Sequence, residues 1–198
     1  FLDTARSYGT EEVLGQALKE IPRDSVVIST KCNANKGKRM LPPEEVVGAL
    51  HNSLRLMGTD HVDLFQLHGV SRDAYDHAFN EIMPALLAER DKGNLRFIGI
   101  SETAPMDHEQ IMLQRALEDD CWDVMMLGIN MMNHNACTEI LPRTQAKNIG
   151  TLAMFVVRSM FSAPDRVRAG MIKLADDGKI DRALVEKDNP LDFLLHEG

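Results

Sequence analysis

The chain has 198 residues, 44% hydrophobic and 26% charged, with 30 acidic against 22 basic side chains and a formal net charge of −8. That length suits a single domain with a sizeable core, and the composition is that of an ordinary globular protein. The acidic balance argues against nucleic-acid or anionic-membrane partners, which reward basic patches, yet leaves room for the few local donors a phosphate needs.

The chain opens on Phe1-Leu2-Asp3 without a Met, and these residues read as the end of a buried strand. A strand needs neighbours, so the sequence is expected to be a piece of a longer protein. Val26 to Thr30 is β-branched and lies between Pro22 and the polar loop from Asn33 to Arg39, which makes it the next strand. Pro42-Pro43-Glu44-Glu45 starts a helix, with proline in its first turn and acids at the positive end of the dipole. That helix runs to about Met57 and stops at Gly58-Thr59. Val62 to Leu67 is a strand, Asp73 to Lys92 a long helix ended by Gly93-Asn94, and Leu95 to Ile100 a strand. Asp107 to Leu117 follows as a helix, Asp123 to Asn130 as a strand, Cys137 to Lys147 as a helix and Thr151 to Val156 as a strand. The remainder from Ala163 is charged and helix-prone, with breaks at Gly170 and Asp177-Gly178.

Six strands alternating with helices over short connections call for parallel pairing with helical crossovers, either a doubly wound sheet or a barrel. A (β/α)8 barrel needs eight strands in roughly 250 residues, so a barrel here would be incomplete, one domain spanning 1–198 and truncated at both ends. Cys32, Cys121 and Cys137 are an odd number without metal-ligand spacing, which suits free thiols in a reducing compartment. No secretory leader and no apolar run of about 20 residues is visible, so a cytoplasmic protein is expected. His51, His61, His77, His108 and His134 lack metal-binding spacing, and no metal is expected. Met125-Met126 and Met131-Met132 read as packing residues.

Four side chains fall at or just past the C-terminal ends of strands. Asp3 ends the first, Tyr8 follows in the loop Thr4 to Gly9, Lys31 follows Val26–Thr30 and His68 follows Val62–Leu67. In a parallel barrel these ends share one face, where chemistry is done. Each residue alone has an ordinary structural use, as a turn cap, a packed ring, a solvated amine or a core histidine. An acid, a phenol, an ammonium and an imidazole recurring after successive strands make a candidate acid–base constellation.

Phe1-Leu2-Asp3-Thr4-Ala5-Arg6-Ser7-Tyr8-Gly9, with Glu12, Leu14-Gly15 and Ala17-Leu18 behind it, resembles the aldo-keto reductase signature D-x-A-x-x-Y-G followed by E-x-x-L-G-x-A-L. Ser29-Thr30-Lys31, Asp63 to His68 and Gly93 to Ser101 resemble three further ordered motifs of that family, and the likeness continues more weakly to about Phe155. The resemblance implies a (β/α)8 barrel lacking its first and eighth strands. It implies hydride transfer between NADPH, or NADH, and the carbonyl of an aldehyde, ketone or sugar. Tyr8 is the implied acid, with Lys31 lowering its pKa, Asp3 holding the ammonium and His68 orienting the carbonyl oxygen. The implied partner is a small carbonyl or alcohol, with the oligomeric state left open.

For the cofactor the resemblance implies Ser101, and it aligns Glu102 where the family usually has asparagine and Met126 where it has glutamine. Ile129 takes a usual tyrosine position and Asn130 is kept. Met154, with Phe155 beside it, aligns with the aromatic that stacks on nicotinamide. Nothing after Pro190 resembles the family's phosphate-binding segment, leaving Arg158, Arg166 and Arg168 as candidates for phosphate contact or simply solvated charges. No Gly-rich dinucleotide fingerprint follows a strand. A second reading is a cofactor-sensing barrel with little turnover, like ion-channel-associated members of the family, suggested by the departures at Glu102, Met126 and Ile129. A third is a barrel isomerase that uses the same acid and base. Residues 1–198 alone are expected to expose sheet edges and to aggregate or need the missing parts.

Overall fold

The structure is a computed structural model that describes residues 1–104, 106–130, 133–156 and 163–185. It divides into two compact units, Phe1–Met154 and Phe155–Gly198. The first is built on a six-stranded parallel sheet: β1 (Leu2–Asp3), β2 (Ile28–Asn33), β5 (Val62–Val70), β6 (Leu95–Glu102), β7 (Val124–Gly128) and β8 (Gly150–Met154). The intervening β3 (Asn35–Lys36) and β4 (Arg39–Met40) form a small antiparallel hairpin in what the sequence suggests is a plain polar loop.

Strand order across the sheet is β1-β2-β5-β6-β7-β8, the order of the chain. A doubly wound sheet reverses its order at a switch point, and this one never does. The choice left open by pattern is thereby made: this is the sheet of an incomplete (β/α)8 barrel.

Helices α1 (Glu11–Ala17), α2 (Pro43–Met57), α3 (Arg72–His77), α4 (Met83–Asp91), α5 (Ile111–Ala116), α6 (Asn135–Glu139) and α7 (Leu141–Ala146) connect the strands. Pro43 opens α2 and Gly58 closes it in the left-handed region at φ 65°, as the sequence suggests. The long helix expected from Asp73 to Lys92 is interrupted by a π-turn at Ala78–Ile82. Pro84 lies just beyond that turn; it has no N–H to give the preceding turn, and its ring crowds that turn's carbonyl. Pro142 stands at the same early position in α7, where α6 gives way to it. At Gly15, α1 meets α2 so closely that a Cβ would collide with Leu56 O and lie 2.9 Å from Met57 Cα.

Most side chains of the sheet sort by face, although Val62 and Leu95 at its lower end join the helix-side core from the alternate positions. Ile28, Cys32, Phe65, Leu67, Ile98, Ile100, Met125 and Leu127 pack with the helices in one apolar core. The alternate residues, Ser29, Lys31, Leu64, Gln66, Phe97, Gly99, Ser101 and Met126, stand apart from that core. Gly99 shows that they share a face, because a Cβ there would meet Gln66 Cγ at 2.9 Å and Leu64 Cδ1 at 3.2 Å. This second face is the barrel interior.

In the second unit, Pro164–Asp176 forms a helix that runs straight through Gly170 and stops at Asp177-Gly178. Burial of Val167 and Met171 against Val185 outweighs the cost of roughly 1 kcal/mol that glycine brings to a helix interior. Among the described residues, no helix is long and apolar enough to cross a membrane.

Candidate active site

Register explains how distant residues meet. Asp3 pairs with Ser29 across β1 and β2, and Lys31 pairs with Gln66 across β2 and β5. Asp3 and Lys31 therefore project into the barrel interior from neighbouring strands. Both β2 and β5 run further than the sequence suggests, so Lys31 and His68 lie within strands rather than after them. Parallel pairing carries on through Cys32–Leu67 and Asn33–His68, and the irregularity comes only between Leu67 and Val70. Tyr8 closes the short helical turn Arg6–Tyr8, ended by Gly9 at φ 68°. A hydroxyl bond of 2.7 Å between Thr4 and Thr10 ties the two ends of this loop together.

The Lys31 side chain is fully buried. Its Nζ donates to Asp3 Oδ2 at 2.6 Å and to the Thr4 carbonyl at 2.7 Å, and lies 5.1 Å from the centre of the Tyr8 ring. Burial pulls the ammonium below its ordinary pKa, while Asp3 pushes it back up. Tyr8 is 53% exposed, and its phenol is raised, first by partial burial and then by the Asp3 carboxylate. The lowering expected from Lys31 is absent, because the ammonium is already matched by Asp3 and the phenol faces a nearly neutral pair. His68 sits edge-on to Tyr8 with ring centres 5.6 Å apart, and its Nδ1 is 3.4 Å from Ser7 Oγ. Burial, then Lys31, holds its pKa below the ordinary value, which favours the neutral imidazole.

The candidate cofactor residues divide. Ser101 is on the interior face in register with Met126, and the β7–β8 pairing puts Met154 beside Gly128 on the same side. Ser101 Oγ accepts the Gly69 N–H at 2.8 Å, which leaves the hydroxyl proton to donate elsewhere. Glu102 is not brought to this face. As the next residue along the strand it turns to the helix side, where it is buried and bound to Gly128 and Gln110. Phe155, at φ 59° and partly exposed, belongs to the second unit. Ile129 donates its N–H to Met154 O, and Asn130 bridges to Asn133 through the backbone. Arg168 reaches Val185 O at 3.3 Å. Arg158 and the segment after Pro190 lie outside the described residues, as do Met131 and Met132.

Sequence reasoning missed three contributors. Gln66, two residues before His68 on the same face, donates to Ser29 Oγ at 2.9 Å and leaves its own Oε1 buried without a partner. Alternation along the strand could have found it. Asn33 donates to the His68 carbonyl at 3.0 Å, and Thr4 acts through its backbone oxygen, for which no side-chain signal exists. Among the described residues, no group of three His, Cys, Asp or Glu side chains could hold a metal ion.

Both the sequence and the parallel-strand fold of this chain match a known family. Residues 1–171 fit the aldo/keto reductase family. The chain belongs to it. Among curated relatives, L-galactose dehydrogenase of Arabidopsis thaliana is 28% identical over 158 residues, covering 77% of this chain and 49% of its own length. The NADH-specific methylglyoxal reductase of Escherichia coli is 27% identical over 158 residues, covering 71% and 47%. A holo-form aldo-keto reductase from Bacillus halodurans superposes with a TM-score of 0.64 at 26% identity, covering 79% of this chain and 50% of that one. The chain thus spans about half the length of the curated relatives it matches.

Proposed function

We propose that the protein is an oxidoreductase that transfers a hydride between NADPH, or NADH, and the carbonyl of an aldehyde, ketone or sugar, with Tyr8 as the general acid. The observation that carries this reading is the cluster at the barrel mouth, where Lys31 is clamped by Asp3 at 2.6 Å beneath the Tyr8 ring and His68 lies edge-on to it. Family membership and the dehydrogenase and reductase relatives support the same class of reaction.

When bound, a nicotinamide supplies or removes the hydride; the chain's own groups handle orientation and the proton. The residues fit such a ring at the nicotinamide end. Ser101 keeps a hydroxyl proton for a carbonyl acceptor, and Met126, Leu152 and Met154 offer an apolar interior surface beside it. Tyr8 gives its proton to the substrate oxygen as negative charge builds there. Neutral His68 donates to or orients that oxygen, and the Asp3-held Lys31 ammonium faces the phenolate left behind from 5.1 Å off the ring centre. In the reverse direction the phenolate takes the proton from an alcohol. Asp3 fixes the ammonium, so its removal would free Lys31 from its place.

Tyr8→Phe in the full-length protein is expected to lower kcat by at least a thousandfold while leaving the Kd for NADPH within about threefold, a split read by steady-state assay and fluorescence titration. Wild-type turnover by this variant would remove Tyr8 from the mechanism. One observation favours the second reading, a cofactor-sensing barrel with little turnover: the interior face beside Ser101 carries Met126 rather than a polar side chain, and Glu102 is turned away from it. Rapid NADPH oxidation with methylglyoxal or an aldose would dispose of that reading.

A further inference from the structure

The described residues contain two buried side-chain polar atoms without a hydrogen-bond partner, Gln66 Oε1 in the barrel interior and Glu102 Oε2 on the helix side. Glu102 is the more informative. The β6–β7 ladder ends at Ser101–Met126, yet β7 continues to Gly128. Past that last pair Gly128 keeps β8 on one side but has no further β6 partner on the other, and the Glu102 carboxylate takes its N–H through Oε1. Gln110, fully buried, donates through one Nε2 to the Gly128 carbonyl at 2.8 Å and to Glu102 Oε1 at 3.1 Å. Its own Oε1 accepts from Asn135 at 3.4 Å, which extends the network into the segment after β7.

Gln110 does this in the left-handed region, at φ 56° and ψ 36°, a conformation a non-glycine residue holds only when its surroundings insist. Here the two bonds from Nε2 and the seating of α5 do so. Asp107 caps that helix through the Ile111 and Met112 N–H groups and is gripped by Arg72. The stretch from Glu102 to Gln110 is therefore pinned at both ends.

These tethers bear directly on the proposed site. Ser101, the interior hydroxyl, immediately precedes Glu102, and Met126 lies two residues before Gly128 on the interior face. We propose that Glu102 is a positioning residue: by taking the Gly128 N–H beyond the end of the β6–β7 ladder and engaging Gln110, it fixes the rim on which Ser101 and Met126 meet the nicotinamide. The inference rests on the oxidoreductase reading. It differs from the role that alignment gives Glu102, because the side chain acts from behind the sheet and never touches the cofactor.

The chemistry also says which replacement should work. Both donors converge on Oε1, and Oε2 has none, so a carboxamide at this position keeps the required acceptor and drops a buried charge. Burial raises the Glu102 carboxyl above its ordinary pKa, which agrees with an unsatisfied second oxygen. Leucine keeps the volume and removes the acceptor.

The test is NADPH titration by cofactor fluorescence in the full-length protein, run with thermal melts and saturating-cofactor turnover. Glu102→Leu is expected to weaken NADPH at least tenfold with a change in kcat of less than threefold, and Glu102→Gln to restore the affinity to within threefold of wild type. A Glu102→Leu protein that melts earlier yet binds NADPH as wild type overturns the proposal, since the network would then be structural only. If the leucine variant does not fold, Glu102→Asp, one methylene shorter, is expected to lose affinity tenfold, and wild-type affinity in it overturns the proposal equally. A wild-type protein that binds neither NADPH nor NADH overturns the oxidoreductase reading and this inference with it. Binding that ignores Glu102 overturns this inference alone.

Discussion

Phe65 and Phe97 stand on adjacent strands within one step of the same register, and their surroundings differ completely. Phe65, paired with Ile98, is fully buried between sheet and helices. Phe97, paired with Leu64, points to the barrel interior, remains 45% exposed and lies 5.4 Å beneath the Arg96 guanidinium. The contrast runs the length of the sheet. Its outer face is mainly apolar, interrupted by the hydrogen-bonded Thr30, Asp63 and Glu102, whereas its inner face carries Ser29, Lys31, Gln66, His68 and Ser101. Stability is concentrated behind the strands and chemistry in front of them. A polar interior is thereby tolerated, because the helix-side core does not depend on it.

The largest effect that would sharpen this division is Phe65→Ala, which should cost about 4 kcal/mol by urea denaturation, as truncation of a buried aromatic with its cavity does. A loss below about 2 kcal/mol would mean that the helix layer is not the main core. Next comes Glu89, a buried carboxylate outside the sheet that accepts from His51 and Asn94 at 2.6 Å and from Lys92 at 2.6 Å. Burial opposes ionisation there, but these donors prevail and bring its pKa from 4.5 to about 2. The folded value is the lower one, so its stabilisation is complete above pH 4.5 and fades as pH falls towards 2. Glu89→Gln should cost about 2 kcal/mol at pH 7, with the difference from wild type shrinking through that window. A pH-independent difference would contradict the assignment. The smallest effect belongs to Phe97→Ala, expected below about 1 kcal/mol because much of the ring is already in water. A cost like that of Phe65 would erase the distinction between the faces.

Much of this was readable from the residues. The six strands, their parallel pairing and the placement of Asp3, Tyr8, Lys31 and His68 at one end follow from β-branched runs, turn signals and ordered motifs. What escaped depends on three-dimensional competition. Lys31 is close enough to Tyr8 to influence it, but Asp3 and the Thr4 carbonyl claim its protons, and a one-dimensional motif does not rank acceptors. Glu102 was aligned with a cofactor ligand, yet strand alternation after Ser101 sends it to the other face. Gln110 gives no warning at all, since neither its type nor its neighbours signal a left-handed backbone.

The single tryptophan has a practical consequence for following these changes. Trp122 is buried, donates from Nε1 to the Tyr75 hydroxyl at 3.1 Å, and that hydroxyl donates to Asp119 at 2.7 Å. It precedes β7, at the end of the strand remote from Gly128, roughly 20 Å away at the usual strand rise. Its emission is therefore an optical gauge of the helix-side layer. It reports melting of that layer directly, and it senses a ligand at the mouth only through space, by energy transfer.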